Sequence, residues 1–337
     1  MKKLIDKYGR EITYLRISLT DRCNFRCIYC SPSDKNFCFI KHQDILRFEE
    51  ILEIAQVAVK MGMTKIRLTG GEPLVRKGVI AFIEKLRAIE GLEDISMTTN
   101  GYYLSEMAES LKKAGLNRVN ISLDSLQREK FKMITGFDGL ERVLQAIDTS
   151  LELGLEPVKI NVVLLKGIND DEVENFIQLT YDKPLYVRFI ELMPTNHELT
   201  QINQGHFVSA DNIKEKMKMK FPDLRPIVSI EKGYGPAVYY QLPGAKGMVG
   251  FITAVSQHFC AKCNRIRLTA EGKIRPCLFN SREVEIRDRL RKIPMNEKEK
   301  REKTIQYCLE EAIKIKPFRH HIGNKNLSEF DMSKIGG

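Results

Sequence analysis

The chain has 337 residues, 43% of them hydrophobic and 29% charged, with a formal net charge of +10. That is enough apolar material for a sizeable core, and the length suits one large domain with an appendage or two domains. No stretch approaches the ~20 apolar residues of a membrane span, and the opening MKKLIDKYGR has no signal-peptide run, so a cytoplasmic protein is expected.

The positive surplus fits either a plain basic surface or an anionic partner such as a nucleotide. Nucleic acid is disfavoured, because Lys and Arg are spread along the chain rather than packed into one block. Of eight cysteines, six fall into two tight clusters. Disulfide frameworks belong to small secreted chains, so clustered thiols here argue for metal. Cys38 and Cys308 lie outside the clusters and read as packing thiols.

Strands are predicted at Tyr14–Leu19, Lys65–Thr69, Ile95–Thr99, Arg118–Leu123, Val158–Leu165 and Leu185–Leu192. Amphipathic segments lie between several of them. Phe48, Ile51, Leu52, Ala55 and Val59 follow the 3.6-residue period, and Ser105 is a candidate N-cap. This alternation implies parallel strands with helical crossovers.

A weak repeat sharpens the expectation. Around Gly62, Gly115 and Gly154, a glycine closes a helix and a strand follows about four residues on. Polar residues then alternate with apolar ones: Arg67 and Thr69, Asn120 and Ser122, Lys159 and Asn161. The first strand continues the theme with Arg16, Ser18 and Thr20, and the third with Thr98 and Asn100. A strand's side chains alternate faces, so these share one face. A parallel strand buried on both faces is continuously apolar, so this face lines something polar, as in a barrel with a ligand-filled interior.

Residues 194–225 read as a connection with one helix capped near Ser209 or Asp211. Beyond 226 the texture shifts to short β-like runs at Val238–Leu242 and Met248–Ala254. A hairpin follows, with Arg265–Thr269 facing Lys273–Arg275. The charged stretch 281–304 reads as a solvated helix. The expected division is 1–225 and 226–337.

Cys23, Cys27 and Cys30 form a C-x3-C-x2-C triplet directly after the first strand. Three thiolates on a four-iron cluster leave one iron open, as a reactive cluster requires. The alternative is a zinc site closed by Cys38 or His42. Gly70-Gly71-Glu72-Pro73-Leu74 ends the second strand, where glycines permit close backbone approach to a ligand, or simply a tight turn. Cys260, Cys263 and Cys277 form C-x2-C-x13-C. Zinc completed by His258 is one reading, and a second three-thiol iron–sulfur cluster is the other. Arg265 and Arg267 share a strand face beside it and suit a polyphosphate or a purine edge, or else an exposed basic hairpin edge.

The first triplet, with Tyr29 before its last cysteine, and the Gly-Gly-Glu-Pro turn resemble the radical S-adenosylmethionine superfamily. LRISLTDRCNFRCIYC, IRLTGGEPLVR, TTNG, NISLDSL, RFIELMP, SQHFCAKCNRIRLTAEGKIRPCLF and the final Gly336-Gly337 resemble the GTP 3′,8-cyclase family over essentially the whole chain. Ser31, where that family often has Met, is a departure at a neighbouring position.

The resemblance implies an α/β fold, a partial (β/α)6 TIM-like barrel whose open side is closed by a C-terminal α+β portion. It implies two 4Fe-4S clusters, one on each triplet, and S-adenosylmethionine as co-substrate. A deoxyadenosyl radical takes hydrogen from the GTP ribose 3′ position. The carbon radical then attacks C8, giving (8S)-3′,8-cyclo-7,8-dihydroguanosine 5′-triphosphate, the first step of molybdenum cofactor biosynthesis. By motif match Tyr29, Gly71, Ser122 and Met193 contact S-adenosylmethionine. Arg16, Arg67, Thr98, Lys159, Arg265, Ile266 and Arg267 contact GTP. Arg265 and Arg267 also have catalytic roles, as do Gly336 and Gly337, which enter the cavity. An electron donor and a cyclic pyranopterin monophosphate synthase are the implied partners, and a homodimer is left open. The rivals are another radical enzyme with an auxiliary cluster, such as a peptide-modifying maturase, and a zinc-stabilised nucleic-acid-binding protein.

Overall fold

The computed structural model describes residues 3–30, 39–194, 205–227, 235–320 and 332–336. Six βα units follow one another, the first strand leading directly into the first cysteine triplet. Strands β1 (Tyr14–Ser18), β2 (Lys65–Thr69), β3 (Asp94–Thr99), β4 (Arg118–Ser122), β5 (Lys159–Leu164) and β6 (Tyr186–Glu191) pair in parallel in chain order. Crossovers α1 (Phe48–Lys60), α2 (Val79–Arg87), α3 (Leu104–Lys113), α4 (Arg128–Thr135), α5 (Leu140–Glu152) and α6 (Val173–Asp182) cover one side of the sheet. Gly62, Gly115 and Gly154 all have positive φ, which lets each helix stop and turn into the next strand. The strands begin three, three and five residues after those glycines rather than four.

The alternation of faces holds. Leu15, Ile17, Ile66, Leu68, Val119, Ile121, Ile160 and Val162 are fully buried in the main core. The core excludes apolar surface worth ~1.5–3 kcal/mol per large side chain, so a one-residue register slip would turn this face inward. The opposite row, Arg16 level with Arg67, Ser96 and Arg118, and Asn120 level with Lys159, faces the interior.

The C-terminal strands, beginning with β7 (Arg225–Pro226) and β8 (Val238–Gln241), extend both edges. β9 (Met248–Ile252) adds in parallel to β6, and β10 (Arg265–Leu268) adds in parallel to β1. β9 and β10 are the next parallel strands in sequence, yet they lie at opposite ends of the parallel run. The chain between them, residues 253–264, therefore spans the barrel's open side. The hairpin of β10 with β11 (Lys273–Arg275) is antiparallel, as the sequence suggests.

Two expectations need correction. Stretch 281–304 is not one solvated helix. It holds β12 (Val284–Glu285), a short helix Arg287–Arg291 and the start of helix Lys298–Lys314, with Pro294 between the helices. Part of it is buried: Arg301 makes a bidentate pair with Glu53 of α1 at 2.8 and 2.7 Å. Ser105 is not a cap either; α3 begins at Leu104, which is fully buried. Ser209 does cap the helix Ala210–Lys220, accepting from Asn212 N. Cys308 is buried within the core, as expected of a packing thiol, and Cys38 lies outside the described residues.

Candidate active site

β1 runs into the loop of Cys23, Cys27 and Cys30, and main-chain bonds hold that loop in place. Gly71 N donates to Thr20 O at 2.6 Å and Glu72 N to Arg22 O at 2.8 Å. From the other side, Arg26 N donates to Thr135 O at 2.7 Å and Ile28 N to Ile134 O at 2.9 Å. Phe25, the apolar residue between the first two cysteines, stacks on Phe137 and meets Phe131 edge-on, which pins the loop to α4. A Cβ on Gly71 would stand 2.4 Å from the Arg22 carbonyl oxygen, and one on Gly70 2.5 Å from that of Thr20. The glycine pair thus has a second cause beyond ligand approach: it seats the cysteine loop against the end of β2.

The three thiols line one cavity together with Tyr29, Gly71, Ser122 and Met193. Burial, then the Glu72 carboxylate, pushes the Cys23 thiol up to about 11, and burial pushes Cys27 well above its usual range. Such thiols stay protonated until a metal takes the proton's place. Phe25 N and Asn100 Nδ2 point at the Cys23 sulfur at 3.4 and 3.8 Å, as donors around iron–sulfur thiolates do. Glu72 fastens the end of β3: its carboxylate accepts from Thr99 Oγ1 at 2.8 Å, Asn100 N at 2.7 Å and Leu74 N at 3.0 Å. The Tyr29 hydroxyl donates to Asp124 at 2.6 Å, joining the cysteine loop to the end of β4.

The second triplet lines an adjoining cavity. Thr98, Asn161, Ile190, Met193 and Met332 are walls of both cavities, which makes them one interior space with a cysteine triplet at each end. Burial pushes the Cys263 thiol up, but the Arg265 guanidinium and Lys316 ammonium outweigh it and bring it down to about 6. Three thiols with cationic support suit a metal cluster.

Between the triplets the interior is cationic. Arg16, Arg67, Arg188, Arg265 and Arg267 line the second cavity, where among the described residues no carboxylate does, whereas Asp124 and Glu191 line the first. Lys159 lies on the same interior row beside the rings of Tyr186 and Tyr239. Burial, then Arg188, Arg118 and Arg67, pushes its ammonium down to about 6. Burial and the neighbouring Arg267 hold Arg16 well below its usual value. Arg188 Nε, the Tyr14 hydroxyl and Asn120 Oδ1 are buried with no hydrogen-bond partner among the described residues. Buried like charges and unfilled polar atoms fit a polyanionic, hydrogen-bonding ligand.

The tail reaches this space. Gly336 is buried with φ +78°, against Thr69 and Gly70 of the Gly-Gly turn, and its carbonyl accepts from Arg267 Nη1. Ile335 packs beside Leu278, Phe279 and Met193. Gly337 lies outside the described residues.

The structure therefore brings Cys23, Cys27, Cys30, Tyr29, Gly71, Ser122 and Met193 to one end. Arg16, Arg67, Thr98, Arg265 and Arg267 gather at the other. The Ile266 side chain is fully buried in the apolar core between the two cavity-facing arginines, so only its main chain is near the site. Sequence reasoning missed Arg188; its signal was an arginine in the period-2 strand of RFIELMP, level with Asn161. It also missed Glu191, which accepts from Ala210 N, Val255 N and Ser256 N and so ties β6 to the chain crossing the open side.

A three-thiol site at the mouth of a partial parallel barrel, beside a Gly-Gly turn, defines a radical S-adenosylmethionine enzyme. Residues 17–180 match the Radical SAM superfamily, and residues 185–322 match Molybdenum Cofactor Synthesis C. The chain is 50% identical over 335 residues to the GTP 3′,8-cyclase of Petrotoga mobilis, covering 99% of this chain and all of the relative. It is 47% identical over 334 residues to that of Alkaliphilus oremlandii, covering 98% and 99%. The chain belongs to the GTP 3′,8-cyclase family. Its fold is similar to Streptococcus suis SuiB bound to S-adenosylmethionine, with TM-score 0.55 and 13% identity, over 83% of this chain and 64% of that one.

Proposed function

We propose that this chain binds S-adenosylmethionine at the first triplet and GTP between the triplets. It cyclises GTP to (8S)-3′,8-cyclo-7,8-dihydroguanosine 5′-triphosphate, the opening step of molybdenum cofactor biosynthesis. The observation that carries this is one interior space with a cysteine triplet at each end and buried cations between them. When bound, a 4Fe-4S cluster on Cys23, Cys27 and Cys30 and S-adenosylmethionine supply a 5′-deoxyadenosyl radical, and a second cluster on Cys260, Cys263 and Cys277 supplies an open iron for substrate.

The chain's own residues bind and orient. Tyr29, Gly71, Ser122 and Met193 hold S-adenosylmethionine. Arg16, Arg67, Lys159, Arg265 and Arg267, with Arg188, hold GTP, and Thr98 stands where the two ligands meet. Charge-assisted bonds from several directions fix the ribose toward the radical source, and such positioning governs rate as well as affinity. Met332 and the Gly336 tail close the cavity and exclude water.

Residues 1–225 supply the first cluster and residues 226–337 the second. Among the described residues no helix is long and apolar enough to cross a membrane. The reading places the protein in the cytoplasm, with an electron donor, without nucleic acid, and with its product passed to a cyclic pyranopterin monophosphate synthase. It leaves a homodimer open.

The test is a Cys260→Ser/Cys263→Ser/Cys277→Ser variant. Reconstituted anaerobically, it should hold about half the iron, still cleave S-adenosylmethionine under reduction, and form no cyclised product. Equal iron or full cyclisation would refute the division of labour.

A further inference from the structure

Two cations outside the cavity wall grip the second triplet. Lys316 is 1% exposed, and its Nζ donates to Arg265 O at 2.7 Å, Pro276 O at 2.7 Å and Cys263 Sγ at 3.5 Å. An ammonium has three hydrogens to give, and the triplet region takes all three. Arg265 follows Cys263 by two residues and Pro276 immediately precedes Cys277, so one side chain joins both arms of the triplet.

Arg10 completes the grip. Its Nη1 donates to Cys260 O at 2.7 Å and Phe318 O at 3.1 Å, and Nη2 to Pro317 O at 2.7 Å. Asp6 preorganises that guanidinium, accepting from Arg10 Nε at 2.6 Å and from Arg10 N at 3.0 Å. The segment Lys316–Phe318 thus meets the triplet from one side and is locked to the N-terminal turn from the other.

Among the described residues, the partners of Lys316 are two carbonyls and a sulfur, none of them a carboxylate. A buried ammonium with no anion beside it is unfavourable. Three thiolates around a four-iron core carry net negative charge and provide that anion. One-electron reduction adds a further negative charge, so a fixed cation at the Cys263 sulfur favours the reduced form.

Resting on the two-cluster reading, we propose that Arg10 and Lys316 are positioning residues for the second cluster. Arg10 holds the Cys260 arm in place for the metal. Lys316 joins the arms and, by donating to the Cys263 sulfur, raises the cluster's reduction potential.

The experiment uses full-length protein carrying Cys23→Ser/Cys27→Ser/Cys30→Ser, reconstituted anaerobically, so that only the second cluster is read. In that background Lys316→Met should lower the midpoint potential by about 59 mV, a tenfold change in the reduction equilibrium. Lys316→Arg should restore most of it. Arg10→Met should leave the potential near the parent value but lose iron to a chelator about tenfold faster. An unchanged potential in Lys316→Met, with the parent loaded, would overturn the role of Lys316. Unchanged chelator kinetics in Arg10→Met would overturn that of Arg10. A parent that binds no iron would remove the second cluster itself and the proposal with it.

Discussion

Arg267 donates from Nη1 to the carbonyl of Gly336, so a cavity arginine on β10 holds the tail against the Gly-Gly turn of β2. A Cβ on Gly336 would stand 2.0 Å from Thr69 Oγ1, and its φ of +78° strains any other residue. Gly336→Ala is therefore expected to expel the tail. Cyclisation should fall at least tenfold, while iron content and thermal unfolding stay at wild-type values. Wild-type turnover would show that the tail's seat is not needed.

Gly71 allows a second steric test at the other triplet. Its missing Cβ leaves room for the Arg22 carbonyl, and the loop from Arg22 leads directly into Cys23. Gly71→Ala should displace that loop, cutting total iron by about half and abolishing reductive S-adenosylmethionine cleavage, with the second cluster kept. Full iron with normal cleavage would mean the loop tolerates the shift.

Arg188 is a cation that the sequence reading passed over. Its Nη2 donates to Asn161 Oδ1, and its Nε has no hydrogen-bond partner among the described residues. A charge-assisted bond contributes ~1.5–3 kcal/mol, so Arg188→Ala should weaken GTP binding roughly 10- to 100-fold. S-adenosylmethionine binding should not change. Equilibrium binding under anaerobic conditions decides this, and equal GTP affinity would remove Arg188 from the substrate site.

Lys159 gives a pH dependence. Burial and three arginines lower its ammonium from 10.5 to about 6 in the free protein. Between those values the unfolded chain binds more protons at this site than the folded one. Its contribution to stability is therefore fully present above pH 10.5 and is lost as pH falls through about 6. An anionic triphosphate beside Lys159 reverses the penalty and favours the charged form. GTP binding near neutral pH should take up ~1 proton more in the wild type than in Lys159→Met. Calorimetry in two buffers of different ionisation enthalpy measures the difference, and equal uptake would contradict the placement.

Much of this was legible in the sequence because the signals were local. The glycines at 62, 115 and 154 punctuate the βα units, and period-2 polarity exposes the interior face from Arg16 to Asn161. The charged stretch 281–304 misled because its composition resembles a solvated helix, whereas Arg301 is buried by a carboxylate on α1, far away in sequence. Arg188 stayed hidden because no repeated glycine marks its strand. Lys316 and Arg10 were invisible for a different reason: their partners are main-chain carbonyls brought together only by the fold.

In the proposed complex GTP sits between the two triplets with its ribose 3′ carbon facing the first. The direct measurement is a single anaerobic turnover with GTP deuterated at the ribose 3′ position, S-adenosylmethionine and reductant. Deuterium is expected in the 5′-deoxyadenosine released, together with 3′,8-cyclised dihydro-GTP in matching amount. Unlabelled 5′-deoxyadenosine, or labelled 5′-deoxyadenosine without the cyclised product, would contradict this placement of GTP.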